Sequence, residues 1–162
     1  MKKGKNLPVV LAGVIIVFVT AACTGGPSAQ GETRVFPDII GKNWYLTEIR
    51  TEPGGIILDR AAMEADGLGD AFTLKFEEDQ IGGVALPNRY FGPYTRKGHG
   101  IQFNRIASTL MASFKELDIT EREYFDYLDR VQRWAWNRDH LELHSTAPTG
   151  QQAVLIFEER VF

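Results

Sequence analysis

Cys23 is the single cysteine in a chain of 162 residues, and it stands at the end of an uncharged apolar run. Lys2, Lys3 and Lys5 precede that run, which extends from Leu7 to Ala22 and closes in small side chains, Thr20-Ala21-Ala22. A helix needs about 20 apolar residues to cross the hydrocarbon core of a bilayer. The run has about 16, short for a permanent span and suited to a cleaved signal peptide over residues 1–22. With one thiol, no intrachain disulfide can staple the fold, even on an oxidising export route.

Thr20-Ala21-Ala22-Cys23 resembles the bacterial lipobox, in which a diacylglycerol is placed on the cysteine sulfur before cleavage just ahead of it. Thr20 departs from the leucine commonest at its position. The resemblance implies lipidation of Cys23, with palmitate-type acyl chains as the membrane anchor. Several chains on one residue hold firmly where one chain is marginal. Thr24 follows the cysteine instead of the aspartate that retains such proteins at the inner membrane. The expected location is therefore the cell envelope, at the outer membrane.

Removing residues 1–22 leaves 140, enough for one domain with its own core. The removed segment takes three lysines and no acid with it, so the formal charge falls from −3 to −6. An acidic chain is a poor partner for nucleic acid, and electrostatics alone would not hold it to anionic lipid. Residues 23–37 begin with the cysteine and continue rich in Gly, Ser and Pro. They read as a flexible tether, and the domain is expected over residues 38–162 as a monomer.

Within the domain, Asn43 to Arg50 carries Trp44 and Leu46 at strand spacing, and Pro53-Gly54-Gly55 interrupts it. Ile56 to Leu58 reads as a short strand and Arg60 to Ala65 as a turn of helix. Phe72, Leu74 and Phe76 alternate with Thr73 and Lys75. Ile81 to Ala85, Tyr90 to Tyr94 and Gly100 to Phe103 follow as further strands. Then the period changes. Thr120-Glu121-Arg122-Glu123 is a capping box, and Phe125, Leu128 and Val131 mark the apolar side of a helix expected over 120–133. Opposite charges four apart (Arg122–Asp126, Asp126–Arg130, Asp129–Arg133) are placed to support its solvent side. Arg133 to Asn137, Leu141 to His144 and Ala153 to Glu158 read as closing strands. The expected fold is α+β: a mostly antiparallel, strongly curved sheet or partial barrel of about seven or eight short strands, packed by one main helix.

These residues, in order, resemble the META domain, the family of HslJ-like heat-inducible envelope lipoproteins. The matching features begin with the strand Trp44-Tyr45-Leu46, the central turn Asn88-Arg89-Tyr90-Phe91-Gly92-Pro93-Tyr94 and Thr109-Leu110-Met111-Ala112. Leu141-Glu142-Leu143 and Leu155-Ile156-Phe157 complete the set over roughly residues 38–159. Trp44, Asn88, Gly92, Thr109 and Met111 are the family-motif residues. Relatives usually carry a cysteine pair where this chain has Pro87 and Ser113, so no redox chemistry is expected there. Asn88 is expected to close a turn through its side chain, and Gly92 to supply backbone angles closed to other residues.

No nucleophile elbow, P-loop, dinucleotide fingerprint or His-Glu-x-x-His motif is present. His140, Glu142 and His144 share one strand face. The two histidine backbones lie about 13 Å apart on a strand, too far to converge on one zinc. No metal, cofactor or catalytic residue is therefore expected. Tyr90, Tyr94, Trp134 and Trp136 are the candidate ligand or partner surface, although the alternation of the two tryptophans also suits a core. The resemblance implies a non-enzymatic envelope lipoprotein that binds a protein partner or supports stress tolerance. The alternative is a pilotin-like carrier of lipid or apolar peptide, which requires an apolar cavity between the sheet and the helix.

Overall fold

In the computed structural model, residues 35–112 and 117–160 are described. Cys23, Ser113 and the segment read as a signal peptide lie outside the described residues. A 3-10 turn, Phe36–Ile39, comes first, with Phe36 and Ile39 buried. Phe36, placed by composition in the tether, is thus part of the core.

Strand β1 (Asn43–Thr51) buries Trp44 and Leu46 on its inner face, as their spacing requires. Its neighbour Tyr45 points the other way and is also covered, because helix α1 (Arg60–Ala65) folds over it after the short strand β2 (Gly55–Ile57). Arg60 and Arg160 each place a guanidinium 5.3 Å from the Tyr45 ring. Arg60 is itself buried and donates to the carbonyls of Gly69 and Ala71.

Strands β3 (Thr73–Phe76), β4 (Gln80–Val84), β5 (Arg89–Lys97) and β6 (Gly100–Phe103) then form an antiparallel meander. After β6 the chain bulges through Asn104–Ile106, with Arg105 at φ 48°, and continues along β5 as β7 (Ala107–Ser108). An extra residue in one strand of a pair forces such a local bend. Strands β8 (Arg133–Asn137), β9 (His140–Thr146) and β10 (Gln152–Glu159) form a second meander.

The ring closes. β10 pairs with β1 from Trp44↔Glu159 to Thr51↔Ala153, and the order β1-β10-β9-β8-β6-β5-β4-β3 returns to β1. The expected partial barrel is therefore a closed barrel of eight strands, with β2 and β7 added at its rims. Ring closure removes the edges that an open sheet would expose. Its thinnest joint is β6 to β8, where the one paired position is Gly100↔Arg133. The barrel is filled by Trp44, Phe72, Phe76, Tyr90, Ile101, Leu143 and Phe157, among others.

Helix α2 covers Glu121–Leu128, shorter than the expected 120–133. Its start is as expected: Thr120 Oγ1 accepts from the Glu123 amide and the Glu123 carboxylate accepts from the Thr120 amide. Its end is set by the sheet. The Gln132 amide donates to the His144 carbonyl at 2.9 Å, pulling the chain into β8. Val131 is buried but no longer helical, and Arg133 belongs to β8. Of the three helical charge pairs expected, Asp126–Arg130 is seen, at 3.6 Å.

Candidate functional site

Asn88 is the most heavily bonded polar side chain of the domain and is 2 % exposed. Its Nδ2 donates to the Met111 carbonyl at 3.1 Å and to Glu121 Oε2 at 2.9 Å. Its Oδ1 accepts from the Met111 amide and from Thr109 Oγ1, both at 2.8 Å. Two donors and two lone pairs are thereby satisfied, the full capacity of an amide. The expectation that Asn88 closes a local turn is too narrow. It clamps three separated segments together: the start of β5, the 109–111 stretch and the first residue of α2. Thr109 extends the clamp by accepting from the Arg89 amide at 3.3 Å.

Met111 is held by its backbone alone. Its side chain is 56 % exposed and that of Leu110 98 %. Phe91, outward on β5 and paired with Ala107, is exposed as well. The strict alternation of β5 assigns this direction from sequence: Tyr90 inward, Phe91 outward, Gly92 inward. Gly92 has an ordinary backbone conformation and is needed for a different reason from the one expected. A β-carbon there would lie 3.2 Å from both the Asn104 carbonyl and the Ile106 Cα, inside the bulge.

The four aromatic residues proposed as a ligand or partner surface do not form one. Tyr90 is buried, and its hydroxyl donates to the Thr73 carbonyl at 2.8 Å. The Tyr124 hydroxyl reaches the same oxygen at 3.3 Å and lies 3.1 Å from that of Tyr90. Burial pushes both phenols above the usual tyrosine range, so they are neutral hydrogen-bonding groups. Tyr94 is half-buried and donates to the carbonyls of Glu77 and Glu78. Trp134 is buried against Phe36 and His99, with its indole N–H on the Gly98 carbonyl. Trp136 packs edge-on against Trp44 beneath the Lys42 ammonium. The register explains this: Trp134 pairs with Leu143 and Trp136 with Leu141, both core residues. Trp44, the other motif aromatic, is fully buried and bonded to the Ile39 carbonyl.

The volume between α2 and the barrel, where a carrier would need its cavity, is occupied by aromatic side chains. Phe72 and Tyr90 meet Tyr124 at 5.4 and 5.9 Å, and Phe125 closes on Tyr90 at 5.4 Å. Clefts lie on the outer surface instead. One of about 420 Å³ lies over β3 and β4, between Asp70, Lys75, Glu77, Gly83 and Arg89. Another, of about 500 Å³, crosses β9, β10 and β1, with Glu48, Arg50, His140, Glu142 and Glu158 around Ile57. Arg50 pairs with Glu48 at 2.9 Å, the His140 ring lies 3.3 Å from Glu158, and Arg138 also lines the cleft. His144 lies 3.6 Å from Glu142. Burial and the Arg133 charge hold His144 below the usual histidine range, with Glu142 opposing. No group of three His, Cys, Asp or Glu among the described residues is placed to hold a metal ion.

The META domain family model matches residues 37–161. No curated protein matches the chain. A protein from Burkholderia xenovorans, solved by NMR, shares the fold with TM-score 0.59 at 18 % identity, over 78 % of this chain and 86 % of that one. A DUF4847 family protein from Bacteroides vulgatus, solved by crystallography, shares it with TM-score 0.52 at 14 % identity, over 74 % and 93 %. At such identities the likeness concerns the fold alone.

Proposed function

Because this chain belongs to the META domain family, we propose that it is a lipoprotein of the bacterial envelope, anchored by acyl chains on Cys23. Its domain works by binding a protein partner and supporting the envelope under stress, and not by catalysis. The observation that carries this reading is the filled barrel. Aromatic and aliphatic side chains of the described residues occupy the interior, which supports a reading in which the outer surface carries the function. The β9-β10-β1 face suits a protein: Ile57, 78 % exposed, sits among charged and polar side chains, the pattern of an apolar centre with a polar rim.

Two measurements test the proposal. Native protein should carry acyl mass on Cys23, and Cys23→Ser should move it from the membrane pellet to the soluble fraction. Affinity capture of acylated protein should recover a specific envelope protein, and Ile57→Glu should abolish that recovery while the fold persists. A Cys23→Ser protein that pellets as the wild type does would refute the anchor. Recovery unchanged by Ile57→Glu would refute this partner face.

A further inference from the structure

The ring is closed, but at its thinnest joint β8 starts late. Gln132 is where the chain enters the wall. Its carbonyl accepts from the Ile101 amide of β6 at 3.0 Å, and its amide donates to the His144 carbonyl of β9 at 2.9 Å. Before Gln132 the chain belongs to the turns that end α2, with the Val131 amide on the Leu128 carbonyl and the Arg130 amide on that of Tyr127. β6 and β9 are each antiparallel to β8 and so run in the same direction. Both continue past Gln132, to Phe103 and Thr146. Alternation fixes which main-chain groups face the gap between them. The Asn104 amide donates to the Pro93 carbonyl of β5 at 2.8 Å, and the Ala147 amide to the Gln151 carbonyl at 2.7 Å. Successive residues of a strand turn their N–H and C=O to opposite edges, so Phe103 and Thr146 turn theirs into the gap. Outside the strand ladders, no main-chain group of a described residue bonds to these. The space before them is a cleft of about 440 Å³, lined by Gln102, Phe103, Asp129, Val131, Gln132 and Thr146 among others.

We propose that this gap is a binding site for an extended polypeptide segment, which adds as a strand in line with β8 and antiparallel to both β6 and β9. The free groups define the class of ligand, because main-chain N–H and C=O in strand geometry are matched by another main chain. Width agrees. The walls are held apart by the strand that Gln132 begins, so they stand two interstrand spacings apart, about 10 Å, which admits one extended chain. Such a segment is bonded on both edges, to Phe103 on one side and to Thr146 on the other. It runs in the direction of β8, and Gln132 closes the inner end, so its C-terminal side meets Gln132. The site is separate from the Ile57 face: Thr146 lies six residues along β9 from His140, about 20 Å.

The test uses Cys23→Ser protein and a displayed library of random dodecapeptides. Amide exchange is read first without peptide: the Phe103 and Thr146 N–H should exchange faster than those of Gln102 and Ser145, which face their ladders. Slow exchange at 103 and 146 in the free protein would overturn the proposal, because the chain itself or a second copy would already fill the gap. Selection should then enrich peptides whose binding slows exchange at both positions. N-methylation of alternate peptide amides keeps the side chains and should weaken binding by at least about tenfold. Thr146→Pro removes a gap-facing donor without breaking a ladder bond, and should weaken binding by about tenfold with the melting temperature kept. Ile57→Glu should leave binding unchanged, which separates this site from the partner face above. Failure to enrich any peptide would overturn the proposal. So would peptides that leave both amides unprotected, that tolerate N-methylation, or that Ile57→Glu releases.

Discussion

A β-carbon on Gly83 would lie 2.0 Å from the carbonyl oxygen of Thr73, the oxygen that receives the hydroxyls of both Tyr90 and Tyr124. Thr73 turns this carbonyl toward the core, and its side chain takes over the neighbouring strand contact by accepting from the Val84 amide. Only a residue without a side chain lets the two strands approach in this way. Gly83→Ala is therefore expected to cost at least about 3 kcal/mol, the upper range for overpacking. At Gly82 the nearest atom to an added β-carbon is 3.4 Å away, and Gly82→Ala should stay within about 0.5 kcal/mol of wild type. Urea denaturation of the two variants measures the difference. Equal costs would show that the strands can separate without loss.

The Tyr90–Tyr124 pair gives the fold an alkaline limit. In the folded protein both phenols are held above the ordinary value of 10.0, chiefly by burial. The unfolded chain then releases these protons first, so stability is intact below pH 10 and declines as pH rises above it. Tyr90→Phe and Tyr124→Phe should each flatten that decline. Their combined cost should differ from the sum of the single costs, because the hydroxyls share one acceptor. Equilibrium unfolding between pH 8 and 11 checks both points.

Asn88→Ala removes four hydrogen bonds from a buried site. Orphaned partners cost about 1–3 kcal/mol each at sites that water cannot reach. Exposed Met111 can partly rehydrate, so a total loss of about 3 kcal/mol is expected. Amide exchange should separate this from a general weakening: the Met111 N–H, which donates to Asn88, should lose protection more than the amides of β9 do.

At the start of α2, hydrogen bonds from the Thr120 amide and hydroxyl hold the Glu123 carboxyl below its ordinary range. A depressed carboxylate contributes stability above its unfolded value of 4.5, and that contribution is lost as pH falls through the lower folded value. Glu123→Gln should remove this part of the acid dependence. Thr120→Ala should cost about 1 kcal/mol, typical of a lost N-cap. Thermal melts at pH 7 and pH 3 distinguish the two effects.

Local elements were legible where the chain's own alternation decides them. Leu74 and Phe76 face inward as their spacing demands, and the Thr120 cap is where the capping box puts it, whereas Phe72 is buried just ahead of β3 with φ 53° and not by strand alternation. Long-range decisions were not legible. That Trp134 and Trp136 face the core follows from their register with Leu141 and Leu143, and no local pattern contains a register. The early end of α2 is imposed by a bond to His144, a residue of β9. Asn88 was recognisable as a motif residue, but its partners Met111 and Glu121 lie 23 and 33 positions away. Gly83 and Thr73 carried no signal, because a close approach of backbones leaves only a glycine behind.

The pairing of β1 with β10 also sets a timetable. Lys42 and Glu159, joined by an ion pair, are 117 positions apart, and the ring has no closure that omits either end. No nascent piece of this domain that lacks either strand can complete its barrel. The barrel stays open until its last strand arrives, and closure is then a late step governed by a long loop. Loss of even the final eight residues of β10 should leave not a smaller domain but an open sheet with two bare edges.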